Sequence, residues 1–145
     1  MTSTEFEIKL ANATNQLNKI AGDVLFLGGK DLEGTMKFRI FNQGRSTTGQ
    51  IGQYKSKSWI KKRGERGRQT NYVDLEYTSS LRDSIQVVRS GNDVFMAVIN
   101  DKDFAKAKGQ ESRRKLTIFV PNAEEQKQTE LYISDLIGEQ LAKLL

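Results

Sequence analysis

Asp74 and Glu76 stand two residues apart in Tyr72-Val73-Asp74-Leu75-Glu76-Tyr77, a run in which polar and apolar positions alternate. Period-two alternation is a strand pattern, and it would place both carboxylates on one face beside Tyr72. Carboxylates so arranged can hold magnesium for phosphodiester cleavage. A nuclease needs further acidic or lysine partners on that face, and the sequence does not show them. The expected role is therefore a solvated pair or one matched by the nearby cations. Gly44 to Gly52 is glycine-rich beside Arg45, yet no Gly-Lys-Ser or Gly-Lys-Thr follows and no apolar strand precedes it. A turn-rich connector is expected there rather than a phosphate loop. Asn100-Asp101-Lys102-Asp103 lacks the twelve-residue calcium spacing and reads as the end of a strand.

The cations are more informative. Lys55, Lys57, Lys61, Lys62, Arg63, Arg66 and Arg68 crowd one stretch against Glu65 alone, with Tyr54 and Trp59 among them. Aromatic rings between cations suit base stacking. The preferred reading is that Trp59 anchors the stretch to the scaffold or to a neighbouring subunit while the charges stay solvated. Tyr54, Trp59 and these seven cations form the candidate contact set for assembly or nucleic acid. Glycine, serine and threonine lead into it and favour turns over packed elements. The result is a predicted extended basic loop at about 42–71, whose Lys55–Arg68 arm is too polar to fold alone and is expected to order when a partner desolvates it.

At 145 residues the chain fits one domain, 1–145, with a modest core. It has neither cysteine nor histidine. That removes disulfides, thiolate zinc sites, the Ser-His-Asp triad and the usual general base near neutral pH. No enzyme and no cofactor are expected. No apolar run approaches a membrane span and the first residues lack a signal peptide's regions, so the expectation is a protein made and used inside a reducing cell. The net charge of +5 is uneven: a second basic cluster surrounds Lys106, Lys108, Arg113, Arg114 and Lys115, while the segment from Asn122 is net acidic. Such asymmetry points to a polyanion, or to head-to-tail contact between basic and acidic faces of neighbouring copies.

Periodicity supplies the elements that position these groups. Phe6, Leu10, Ala13, Leu17 and Ile20 form one stripe, predicting a helix over 4–21 with a Thr4–Glu7 capping box. Gly22 and Asp23 interrupt it. A second helix is predicted over about 23–41, weakest at Gly28-Gly29. Leu81 to Ile85 reads as a helical turn or the start of a strand, with Ser79 or Ser80 as its cap. Strands at about 84–90 and 93–100 flank Ser90-Gly91-Asn92-Asp93, predicting a hairpin. Residues 103–115 are predicted as an exposed excursion. Leu116, Ile118 and Val120 alternate as a further strand, stopped by Pro121. Asn122 then caps a long last helix with Glu125, and Ile133, Ile137, Leu141 and Leu144 lie along one face, widened by Tyr132, Leu136 and Leu145. The fold class is α+β, an antiparallel sheet of about three to four strands flanked by two N-terminal helices and a long C-terminal helix.

Three segments in this order carry a family resemblance, and a fourth matches in part. Phe41 to Gly49 resembles the segment that follows the second helix in the tail-completion and neck proteins of tailed bacteriophages. Thr78-Ser79-Ser80-Leu81-Arg82-Asp83-Ser84-Ile85 is similar to that family's Thr-Gly-x-Leu-Arg-x-Ser-Ile signature, with Ser79 where glycine is usual. Arg114 to Pro121 before the long helix resembles its Arg-Pro-Phe lead-in, with the proline after Phe119 at Pro121, and its Tyr-Ala-x-x-x-x-Gly stretch survives only as Phe104 to Gly109. The resemblance implies a structural virion protein forming a homo-oligomeric ring at the head–tail neck or the head-proximal end of the tail, assembled in the host cytoplasm. It implies portal, adaptor or tail-tube protein as neighbours, non-specific contact with genomic DNA and no membrane. The alternative reading is a basic nucleic-acid-binding module.

Overall fold

Thr2 starts the first helix with a reciprocal capping box: its hydroxyl accepts from Glu5 N at 3.1 Å, and its N–H donates to the Glu5 carboxylate at 2.7 Å. The computed structural model describes residues 2–144, without the side chains of Phe6 and Leu10, so those two members of the expected stripe, and Leu145, lie outside it. The expected Thr4–Glu7 box is thus displaced by two residues. From there α1 runs unbroken over Ser3–Lys37, about 50 Å at the α-helical rise of 1.5 Å per residue. The two expected N-terminal helices are one.

The glycines that suggested a break serve as contact points instead. A Cβ on Gly28 would lie 2.5 Å from Cγ1 of Ile133, and one on Gly29 would lie 3.0 Å from Cγ1 of Val87. A Cβ on Gly22 would meet the Arg89 guanidinium at 2.5 Å. These positions let the last helix and the hairpin approach α1 closely, which offsets the propensity cost of about 1 kcal/mol per glycine. The helix then widens into a π segment, Phe38–Asn42, closed by Gln43 N–H donating to Phe38 O at 3.0 Å. In it Arg39, Ile40 and Phe41 are all buried.

Six elements follow among the described residues: α2 (Lys57–Glu65), α3 (Ser80–Ser84), β1 (Ile85–Ser90), β2 (Asp93–Val98), α4 (Asp101–Arg114) and α5 (Ala123–Leu144). The hairpin is antiparallel, from Ile85 opposite Val98 to Ser90 opposite Asp93, as its alternation and Ser90–Asp93 turn predict. It is the whole sheet among the described residues, so the sheet has two strands rather than three or four. The structure is mixed helix and strand, with long helices at both ends of the chain.

Side chains occupy the backbone groups that the missing strands would have paired. Leu75 adopts φ +58°, which ends the extended alternation of 72–77. In 116–120, Ile118 and Phe119 N–H donate to the Glu111 carboxylate at 2.7 and 2.9 Å. Thr117 O accepts from Thr47, and Ile118 O and Val120 O accept from Arg39. The expected excursion at 103–115 is α4 instead, because the Asn100 side chain accepts from both Lys102 N and Asp103 N and starts a helix there. Asp103 and Ala107 give α4 its buried face.

The core gathers Ile40, Phe41, Ile51, Val73, Leu81, Ile85, Ala107 and Ile118. Gly44 at φ +63° turns the chain beneath it, where a Cβ would strike Val73 O. Asn122 caps α5: its Oδ1 accepts from Glu125 N at 2.8 Å, and its N–H donates to Glu125 Oε1 at 2.9 Å. The same Oε1 accepts from Arg39 Nε at 3.0 Å. As α5 advances it meets α1 in reverse, Glu125 by Arg39 and Ile133 by Gly28, so the two helices are antiparallel. Among the described residues no helix is long and apolar enough to cross a membrane.

Removing one partner of a buried ion pair leaves the other charge uncompensated. Arg39→Met should therefore lower unfolding free energy by about 3–5 kcal/mol, read as a fall in the urea midpoint. An unchanged midpoint would show that the pair contributes nothing net.

Candidate functional site

The expected arm is largely folded. Ser56 caps α2 by accepting from Trp59 N at 3.3 Å, and a buried arginine fastens the helix down. Arg63, 1% exposed, donates through Nε to Gln69 O at 3.1 Å, through Nη1 to Glu76 O at 2.6 Å and through Nη2 to Asp74 Oδ1 at 2.8 Å. Asp74 also accepts from Tyr54 Oη at 3.1 Å, Gln69 Nε2 at 2.7 Å and Glu76 N at 3.0 Å. Burial, the leading influence, pushes the Tyr54 phenol above its ordinary pKa, which keeps it protonated as a donor.

This settles what the two carboxylates do. Asp74 is matched by Arg63, and Glu76 by Arg82 at 3.2 Å. Both are buried, with Glu76 Oε1 left without a partner. They do not share a solvated strand face. Among the described residues no three acidic side chains gather as a metal site.

The candidate contact residues divide into two groups. Lys55, Lys57, Lys61, Lys62 and Arg66 are exposed. Tyr54, Trp59, Arg63 and Arg68 are turned into the chain's own structure. Trp59 packs on Tyr77 with ring centroids 4.8 Å apart, Arg66 lies 4.7 Å over Tyr77, and Arg63 lies 4.6 Å over Tyr54. Arg68 donates to Tyr77 O at 3.0 Å.

Opposite α2 stands a wall that the arm's own residues did not announce. Lys106, Gln110, Arg113 and Arg114 fall on one face of α4, and with Trp59 and Leu75 they bound a cavity of about 590 Å³. The basic cluster was visible in the sequence. Its helical spacing was there too, at i, i+4, i+7 and i+8, but the scarcity of apolar residues disguised the helix. The α4 wall is tied to α3 by Asp103, which accepts from Ser84, Ser80 and Lys106. Those bonds, the Ser84 hydroxyl foremost, hold its carboxyl below the ordinary pKa.

No family model, curated protein or solved structure matches the chain.

Two outcomes follow from this geometry. Arg63→Ala should free α2 from the 69–76 segment, so that trypsin cleaves at Lys61 and Lys62 at least tenfold faster, with a loss of about 3–5 kcal/mol. A carboxyl whose folded pKa is depressed stabilises the fold above its unfolded pKa, near 3.9, and that stability is lost as pH falls through the folded value. The stability gap between wild type and Asp103→Asn should accordingly be widest near neutral pH and close in acid; a gap that stays constant would assign Asp103 no such role.

Proposed function

We propose that this chain is a structural assembly protein of a tailed-phage virion, forming a ring at the head–tail neck or the head-proximal end of the tail. Its neighbours there are further copies of itself and adjoining portal, adaptor or tail-tube protein. The observation that carries the reading is the antiparallel α1–α5 pair. Leu17, Leu25 and Leu27 of α1 and Leu131, Ile137, Leu141 and Leu144 of α5 are each between 38% and 58% exposed. Of these, Ile137, Leu141 and Leu144 recur at helical spacing along one side of α5, and an exposed apolar stripe of that kind suits burial against another chain. The three family-like segments support the same reading. The acidic groups that might have done chemistry are spent on holding the fold, which supports a structural rather than catalytic role.

The second reading, a nucleic-acid-binding module, is favoured by the exposed cations of the α2 region, Lys55, Lys57, Lys61, Lys62 and Arg66. Light scattering on the purified chain, at low and high salt and with or without duplex DNA, separates the two. The assembly reading expects a discrete species of several copies without DNA, reduced to monomer by Ile137→Glu with Leu141→Glu. A wild-type monomer that binds DNA with a log–log salt slope near one per phosphate contact would favour the module instead.

A further inference from the structure

We propose that the cavity between α2 and α4 is the socket for an acidic segment of a second copy, the outward face of α5 around Glu130, Leu131 and Asp135. This rests on the assembly reading and names the contact that makes it directional. The socket is open, about 590 Å³ in volume, with apolar and aromatic walls and Lys55, Lys106, Arg113 and Arg114 around them. Of the nearby carboxylates, Asp103 is engaged by Lys106 and Glu76 by Arg82 through Oε2. Glu76 also lines the socket, its Oε1 unpartnered, so the acidic groups of a ligand sit at the cationic rim formed by Lys55 and Arg113 and only an apolar side chain enters. Lys55 and Arg113 are exposed and, among the described residues, paired with no acidic group. A ligand with negative charge around an apolar centre fits such a site.

The ring geometry favours a peptide over nucleic acid. Base stacking needs a free aromatic face. Here Tyr77 is contacted by both Trp59 and Arg66, and one face of Tyr54 is covered by Arg63. With those faces in use, the cavity is better suited to an aliphatic side chain than to a base.

The chain carries the complementary group on its own last helix. From Asn122 onward there are five carboxylates (Glu124, Glu125, Glu130, Asp135, Glu139) against two lysines (Lys127, Lys143). Leu131 is 58% exposed, and Glu130 and Asp135 beside it are exposed and unpaired among the described residues. The inner face of α5 is occupied by α1, through Ile133 against Gly28, so these outward residues remain available. Socket and plug are different surfaces, so the contact is heterologous and repeats from copy to copy, closing into a ring when the rotation allows. Complementary charge at such an interface fixes register and partner choice.

Charge reversal tests this. Lys55→Glu with Arg113→Glu reverses the socket, and Glu130→Lys with Asp135→Lys reverses the plug; all four are exposed, so circular dichroism and melting should match wild type. Each double variant should assemble at least tenfold more weakly by light scattering, and the quadruple variant carrying both reversals should recover. A socket variant that assembles like wild type, or a quadruple variant that stays dispersed, overturns the proposal while leaving the assembly reading intact. A socket variant that keeps its assembly but no longer binds oligothymidylate overturns it in favour of nucleic acid. If the wild type is monomeric throughout, both readings fall together.

Discussion

Arg39 and Glu125 meet in the interior, 4% and 5% exposed, and the end of α1, the turn at Arg45, the 118–120 segment and the start of α5 are tied together there. The desolvation of two charges is costly, and the attraction between them offsets it only where further hydrogen bonds complete the geometry. Arg39 has those bonds: besides Glu125 it reaches Arg45 O, Ile118 O and Val120 O. Glu125 has a second duty, closing the capping box that starts α5. One ion pair therefore fixes the end of α1, the path of 116–120 and the direction in which α5 leaves. The π segment makes this possible, because its wider turn puts Arg39 beside Ile40 and Phe41 within the core.

The same device recurs in the central part of the chain. Arg63 gathers Gln69, Asp74 and Glu76 as Arg39 gathers Arg45, Ile118 and Val120. Two buried guanidinium groups, each satisfying several carbonyls, thus organise irregular backbone where a larger sheet would have used strand pairing. A hydrophobic core of modest size then suffices, since the polar clamps carry the specification of path that a thicker core would otherwise supply.

What was legible in the sequence is what depends on neighbours in the chain. The hairpin declared itself through alternation and the Ser90–Asp93 turn, and Asn122 with Glu125 announced the start of α5. Features that depend on distant partners were misread. Gly22, Gly28 and Gly29 look like breaks until Arg89, Ile133 and Val87 are seen against them. Leu116, Ile118 and Val120 alternate like a strand, yet Arg39, Thr47 and Glu111 take their backbone bonds. Lys106, Arg113 and Arg114 could be counted as a cluster, but only the cap at Asn100 puts them on a helix facing Trp59. Arg63 was indistinguishable by composition from the exposed lysines around it; its burial is decided by Asp74, eleven residues on.

Geometrically α1 is one helix, but its resistance to local opening is graded along its length. Residues 11–19 are all exposed, whereas Gly22, Val24 and Gly28 begin the run of packed positions. Isolated helices of one or two dozen residues are marginal in water, and Asn12, Thr14 and Asn15 are weak formers. The outer turns consequently draw on the capping box and on local propensity more than the inner turns do, so resistance to opening is lower there. Winding enforced on these outer turns by a covering partner would spread inward until it meets turns already secured by α5.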